Sequence, residues 1–181
     1  MLALSTGLLL LTAVHPLSLF AQAGAVEGHI QQVLIEASGT PEGQGLLATA
    51  EAEAAVAIRH AEAAAGDDSN LEWMQTHARH VLHAIDPSQV EGEAPGLGYG
   101  LQRAAEEIAQ HIGRAADVEG SSQNVETHAV HVVAASNAVA SRAAELAELA
   151  QEVLDAYDYS TAGSRVYDMR RLARQLQSGV D

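Results

Sequence analysis

The chain has 181 residues, 48% of them hydrophobic but only 3% aromatic, and a formal net charge of −15. Its nine basic residues are all arginine, and it has no cysteine. The acidic excess disfavours nucleic acid and anionic membrane surfaces as partners, and the missing thiols exclude disulfides, thiolate metal sites, iron–sulfur clusters and covalently attached c-type haem.

One domain is expected at this length. Alanine is abundant and favours helix, while alternating runs of strand formers are missing, so the chain reads as all-α. Residues 1–23 read as a signal peptide: Leu8 to Phe20 is mostly apolar, and Ala21-Gln22-Ala23 supplies a small-residue cleavage pattern. No basic residue precedes the apolar run. The alternative is a retained anchor, for which the run is short, since a spanning helix needs about 20 apolar residues. The expected location is therefore periplasmic or secreted, with no lasting membrane association once the segment is removed.

Residues 24–44 form a lead-in, with a short helix near 26–35 broken by Gly39-Thr40-Pro41-Glu42-Gly43. Helices are predicted near 46–65, 70–85, 100–116 and 123–157. Between them lie Gly66-Asp67-Asp68-Ser69, then Asp86-Pro87 with a Gly-, Glu- and Pro-rich loop over 88–98, then Gly120-Ser121-Ser122, where Ser122 suits an N-cap. Tyr159-Ser160-Thr161-Ala162-Gly163 is expected to break the chain before a last helix near 164–177. That C-terminal basic helix, in segment 161–181, carries Arg165, Arg170, Arg171 and Arg174, and its Val166, Met169 and Leu172 stripe is expected to pack on the acidic body.

The stretch between, 45–160, contains a repeat. At an offset of 51 residues, segments 45–84 and 96–135 align without a gap and share twelve identities. Alanine matches carry little weight in this composition, but His60/His111, His77/His128 and His80/His131 also match, within THARHVLHA and THAVHVVAA. The expectation is a duplicated αα-hairpin forming a four-helix bundle, with short accessory helices at each end. In the first hairpin His60 precedes its turn and His77 follows it by distances of roughly 9 and 12 Å, so the two lie at similar heights. His77 and His80, three apart, share a face. The same arithmetic applies to His111, His128 and His131. Met74, Val81 and Ala84, with Val125, Val132 and Ala135, place both His-x-x-His pairs on or beside a buried stripe.

Six histidines in two matched sets point to nitrogen ligation of a transition metal, Zn, Cu(II), Ni or Fe, in one dinuclear site or two separate ones. Glu107, Glu53 and Glu126 are candidate secondary ligands, although none matches a glutamate in the other copy. His83, replaced by Ala134, is peripheral. A second version has histidines on facing helices ligating b-type haem, with two haems for two copies. The alternative class is an interaction protein whose histidines are structural or sense pH. Neither the Glu-x-x-His motif of di-metal carboxylate bundles nor HExxH is present. No serine–histidine–aspartate set stands out, so no catalytic residue is assigned. GLGYG at 96–100 follows no strand and shares its first two residues with Gly45-Leu46, which argues for a structural role. A protein partner or a homo-oligomer is a further expectation.

Overall fold

The computed structural model describes residues 16–92 and 94–178, and the side chains of 23–92 and 94–176. Most of the expected signal peptide, residues 1–15, lies outside them. The described chain is all-helical: α1 (Pro16–Leu34), α2 (Leu46–Ala64), α3 (Leu71–Ile85), α4 (Leu101–Asp117), α5 (Gln123–Leu154) and α6 (Tyr159–Ser178). No strand occurs among the described residues; an isolated bridge between Glu36 and Gln44 closes the loop after α1. α1 is longer than the helix expected over 26–35, and none of the described helices is long and apolar enough to cross a membrane.

Capping side chains set the helix starts. The Asn70 side-chain oxygen accepts from the Trp73 amide at 3.0 Å and starts α3. Ser122 accepts from the Val125 amide at 3.3 Å and starts α5. One boundary corrects the sequence reading. Tyr159 to Gly163 is the first part of α6, and α5 ends at Leu154 rather than near Tyr157. The break falls just before, because the Asp158 carboxylate accepts from the amides of Ser160 and Thr161 at 3.0 and 2.9 Å and from the Thr161 hydroxyl at 2.9 Å. An aspartate cap outweighs the weak helix preference of the glycine, serine and threonine that follow it.

α2 packs along α3 and α4 along α5, while α2 also meets α4 and α3 meets α5. α6 lies against α5, α2 and α3, and α1 against α4 and α2. Alanines at the crossings, among them Ala57, Ala61, Ala78, Ala104 and Ala143, are fully buried, which lets the backbones approach closely around Leu46, Met74, Leu82, Ile85 and Leu146. α6 is more than an accessory: Ala162, Val166, Met169 and Leu172 belong to the same core cluster. Its arginines reach the acidic body, with Arg165 Nε 2.8 Å from Glu152 and Arg174 Nη2 3.0 Å from Glu62. Gly45 allows α2 to begin against the end of α1, where a Cβ would stand 2.7 Å from the Val33 carbonyl oxygen.

α6 packs on both helix pairs and most extensively on α5, whereas α1 lies mainly on α4 and touches α2 less. The stripe expected on α5 is also less buried than its counterpart: Val81 and Ala84 are fully buried, whereas Val132 is 38% exposed and Ala135 is exposed. Along this stretch a cavity of about 610 Å³ opens among α1, α2, α4 and α5, lined by residues such as Ile30, Val33, Ile108, Ile112 and Val139.

Candidate metal centre

The first histidine set converges. His60 sits near the end of α2, and His77 and His80 lie one turn apart on α3. Their positions follow from the hairpin between them. Asn70 fixes where α3 begins, and the Trp73 indole N–H donates to the Ala63 carbonyl at 2.7 Å, tying the first turn of α3 to the last turn of α2. His77, four residues after Trp73, then faces α2, with the indole edge-on at 4.4 Å between ring centroids.

His60 Nδ1 lies 2.9 Å from His77 Nδ1 and 3.4 Å from His80 Nδ1. One ligand atom from each of the three rings falls within 4.8 Å of the others. Two nitrogens each about 2.0–2.1 Å from one ion are about 2.9 Å apart at a right angle and about 3.4 Å apart at the tetrahedral angle. The three rings are thus spaced as ligands of a single ion, and they can hold one.

The site is half-buried, and burial is the first cause of its proton chemistry. It pushes His60 down to about 4, with the neighbouring rings of His80 and His77 and the Arg59 guanidinium adding to the effect. Burial likewise lowers His77, and it lowers His80 together with His77, His83 and Arg79. Burial thus favours the neutral form of all three rings, the form in which imidazole can bind a cation. His77 Nε2 is buried without a partner. The triad rings bond to one another and to no carboxylate among the described residues. Whichever tautomer His77 adopts, one of its nitrogens is left unpaired, a cost of about 1–3 kcal/mol that a self-satisfied structural cluster would not carry.

These shifts set the pH response of the metal-free fold. As pH falls below the ordinary histidine value near 6.5, the unfolded chain takes up protons that the folded site resists. Stability is thus full above about pH 6.5, falls between there and about pH 4, and levels off below as far as these groups are concerned. Thermal unfolding across pH 4–7 should show that slope, and His60→Leu should flatten it; equal slopes in the two chains would contradict the account.

The second set does not converge. His111 on α4 meets His29 on α1, their Nδ1 atoms 3.1 Å apart, instead of His128 and His131 on α5. His128 and His131 are exposed, and His128 borders the apolar cavity. His128 and His131 lie on a part of α5 that is left exposed, and α1 rather than α5 supplies the imidazole that meets His111. His29 falls outside both repeat windows, and only its histidine identity signalled it.

The secondary candidates also have other partners. Glu53 is fully buried and accepts from the amides of Leu97 at 3.1 Å, Tyr99 at 3.0 Å and Gly100 at 3.1 Å. It clasps the GLGYG loop and lies away from the triad's hydrogen bonds. Glu107 takes the Tyr99 hydroxyl at 2.6 Å and Arg103 Nε at 2.9 Å; burial and that carboxylate push the Tyr99 phenol up to about 12. His83 Nδ1 is 3.3 Å from the Pro95 carbonyl oxygen, and Glu126 is exposed in the first turn of α5. Compared with known protein families, characterised proteins and solved structures, the chain matches none of them.

Proposed function

We propose that the protein binds one transition metal ion through His60, His77 and His80, in a storage, delivery or redox role outside the cytoplasm. The carrying observation is the set of three half-buried rings whose ligand atoms lie within 4.8 Å of one another. Nitrogen ligands without sulfur suit Zn, Cu(II), Ni or Fe. Three protein ligands leave a coordination position open, and half-burial leaves it reachable, which suits an ion that is handed on. The net charge of −15 draws cations toward the chain. Export rests on the apolar run and Ala21-Gln22-Ala23, and the descent of α2–α3 and α4–α5 from one duplicated hairpin rests on the matches at 51-residue offset.

Haem b is the second reading, favoured by one observation: His128 borders an apolar cavity of about 610 Å³. The triad itself does not suit a haem. Axial histidines stand on opposite faces of one porphyrin, whereas these ring nitrogens crowd to 2.9 and 3.4 Å. Trp73, the single tryptophan, lies against His77 and reports on the site. Titrating the metal-free chain with Cu(II) should quench its fluorescence, with one saturating step that His77→Leu removes. A Soret band on adding hemin, with no response to Cu(II), Zn(II), Ni(II) or Fe(II), selects the haem reading. No response to any of them rejects both.

A further inference from the structure

The chain carries a second pair of facing imidazoles, far from the triad in sequence. His29 on α1 and His111 on α4 are 82 residues apart, yet their Nδ1 atoms are 3.1 Å apart. The rings are tilted by 59° with centroids 5.3 Å apart, so the nitrogens approach one another more closely than the rings do. Two nitrogens about 2.0–2.1 Å from one ion span about 2.9–3.4 Å between the right angle and the tetrahedral angle, and this pair falls inside that range.

One carboxylate acts on the pair. Glu107 lies one turn before His111 on the same helix, and its carboxylate is fixed by the Tyr99 hydroxyl and by Arg103 Nε. Burial, His29 and Arg114 lower the His111 proton affinity while Glu107 opposes them, leaving the ring neutral at pH 7. The pair is also the one side-chain hydrogen bond from α1 to another helix among the described residues; otherwise α1 is held by apolar contacts such as Val33. In the repeat His111 is the counterpart of His60. The second hairpin thus keeps the first ligand and takes its partner from α1.

We propose that His29 and His111 form a second, two-histidine site for a divalent transition ion, with Glu107 supplying compensating charge, and that filling it fastens α1 to α4. Water completes the shell, so this site is weaker than the triad and fills after it. The proposal goes beyond the triad reading, and its test keeps the two apart.

The experiment uses the full chain with Cu(II) and Zn(II), counting bound ions by equilibrium dialysis and following backbone amide exchange over 23–34. In a chain with His77→Leu and His80→Leu, which disable the triad, about one Cu(II) should remain bound, and its binding should slow exchange across α1. Adding His29→Gln, or independently His111→Gln, should lower the remaining affinity at least tenfold and abolish the exchange effect. Two variants on different helices guard against a local loss of folding, which circular dichroism checks. Glu107→Gln should weaken the site severalfold without changing the stoichiometry. Loss of all binding in the triad-disabled chain overturns the proposal. So does binding that survives both His29→Gln and His111→Gln, which would place the ion on exposed His128 and His131. So does unchanged exchange over 23–34 when the ion binds. The single variant His29→Gln measures the triad alone and the triad-disabled chain measures this pair alone, so either site can fail while the other stands.

Discussion

His77→Leu should lower the affinity for Zn(II) by at least about 100-fold if the triad holds the ion, because changes to groups behind a ligand already cost 10–100-fold and this change would remove a ligand itself. The same substitution leaves the metal-free fold as stable as before, or more stable. It removes a buried ring nitrogen that has no partner, and a leucine packs against Trp73 at a position facing α2. The two effects have opposite signs, and together they separate a ligand from a structural histidine. Thermal unfolding with and without Zn(II) reads both. At an ion concentration 100 times its dissociation constant, the wild-type chain gains about 2.7 kcal/mol, and the variant gains no more than about 0.4 kcal/mol. Undiminished affinity, or a metal-free variant that has lost its fold, contradicts the assignment.

Glu53→Ala has the largest expected effect on the fold, a loss of about 3–5 kcal/mol, which is a large part of the stability of a small domain. The reason lies in the start of α4. Its N-cap is Gly100, which has no side chain with which to cap. Glu53, reaching across from α2, takes over that role: one oxygen accepts from the amides of Tyr99 and Gly100, the other from Leu97. A carboxylate at a helix N-terminus also gains from the helix dipole. The loop has room for it because residue 96 is glycine; a Cβ there would stand 2.9 Å from the carboxylate oxygen. Alanine at 53 leaves three backbone donors without an acceptor. Glutamine keeps the volume but turns an N–H₂ toward an amide donor, so it falls between alanine and the wild type. Urea unfolding measures the series, and amide exchange at 97, 99 and 100 localises it. A Glu53→Ala chain as stable as wild type contradicts the clasp.

Both results bear on how far the sequence could be read. The helices at 46–65, 70–85 and 100–116 were legible within about two residues, because glycine, proline and capping residues bracket apolar periodicity there. The start of α6 was not, since the turn-forming look of Tyr159 to Gly163 hid the aspartate cap that precedes it. The triad was legible because it is local: one hairpin, one capped turn and a spacing of three place all its rings. The second set failed for a non-local reason. Identical spacing in α4 and α5 could not reveal that α1 would bring His29 to His111, or that His128 and His131 would be left exposed. Glu53 was noticed for its acidity, yet the residue 51 positions on is Ala104. That mismatch suits a residue serving one place in the fold, the start of α4, rather than a metal ligand.

The central claim is that three specific rings share one ion. Nitrogen NMR of the histidine rings tests it most directly, in a chain carrying His29→Gln so that the second pair is silent. With added Zn(II), one ring nitrogen each of His60, His77 and His80 should shift together and stop shifting at one ion per chain, while His83, His128 and His131 keep their positions. If the three stay unmoved at excess Zn(II), or shift at different ion concentrations, they do not form one metal centre.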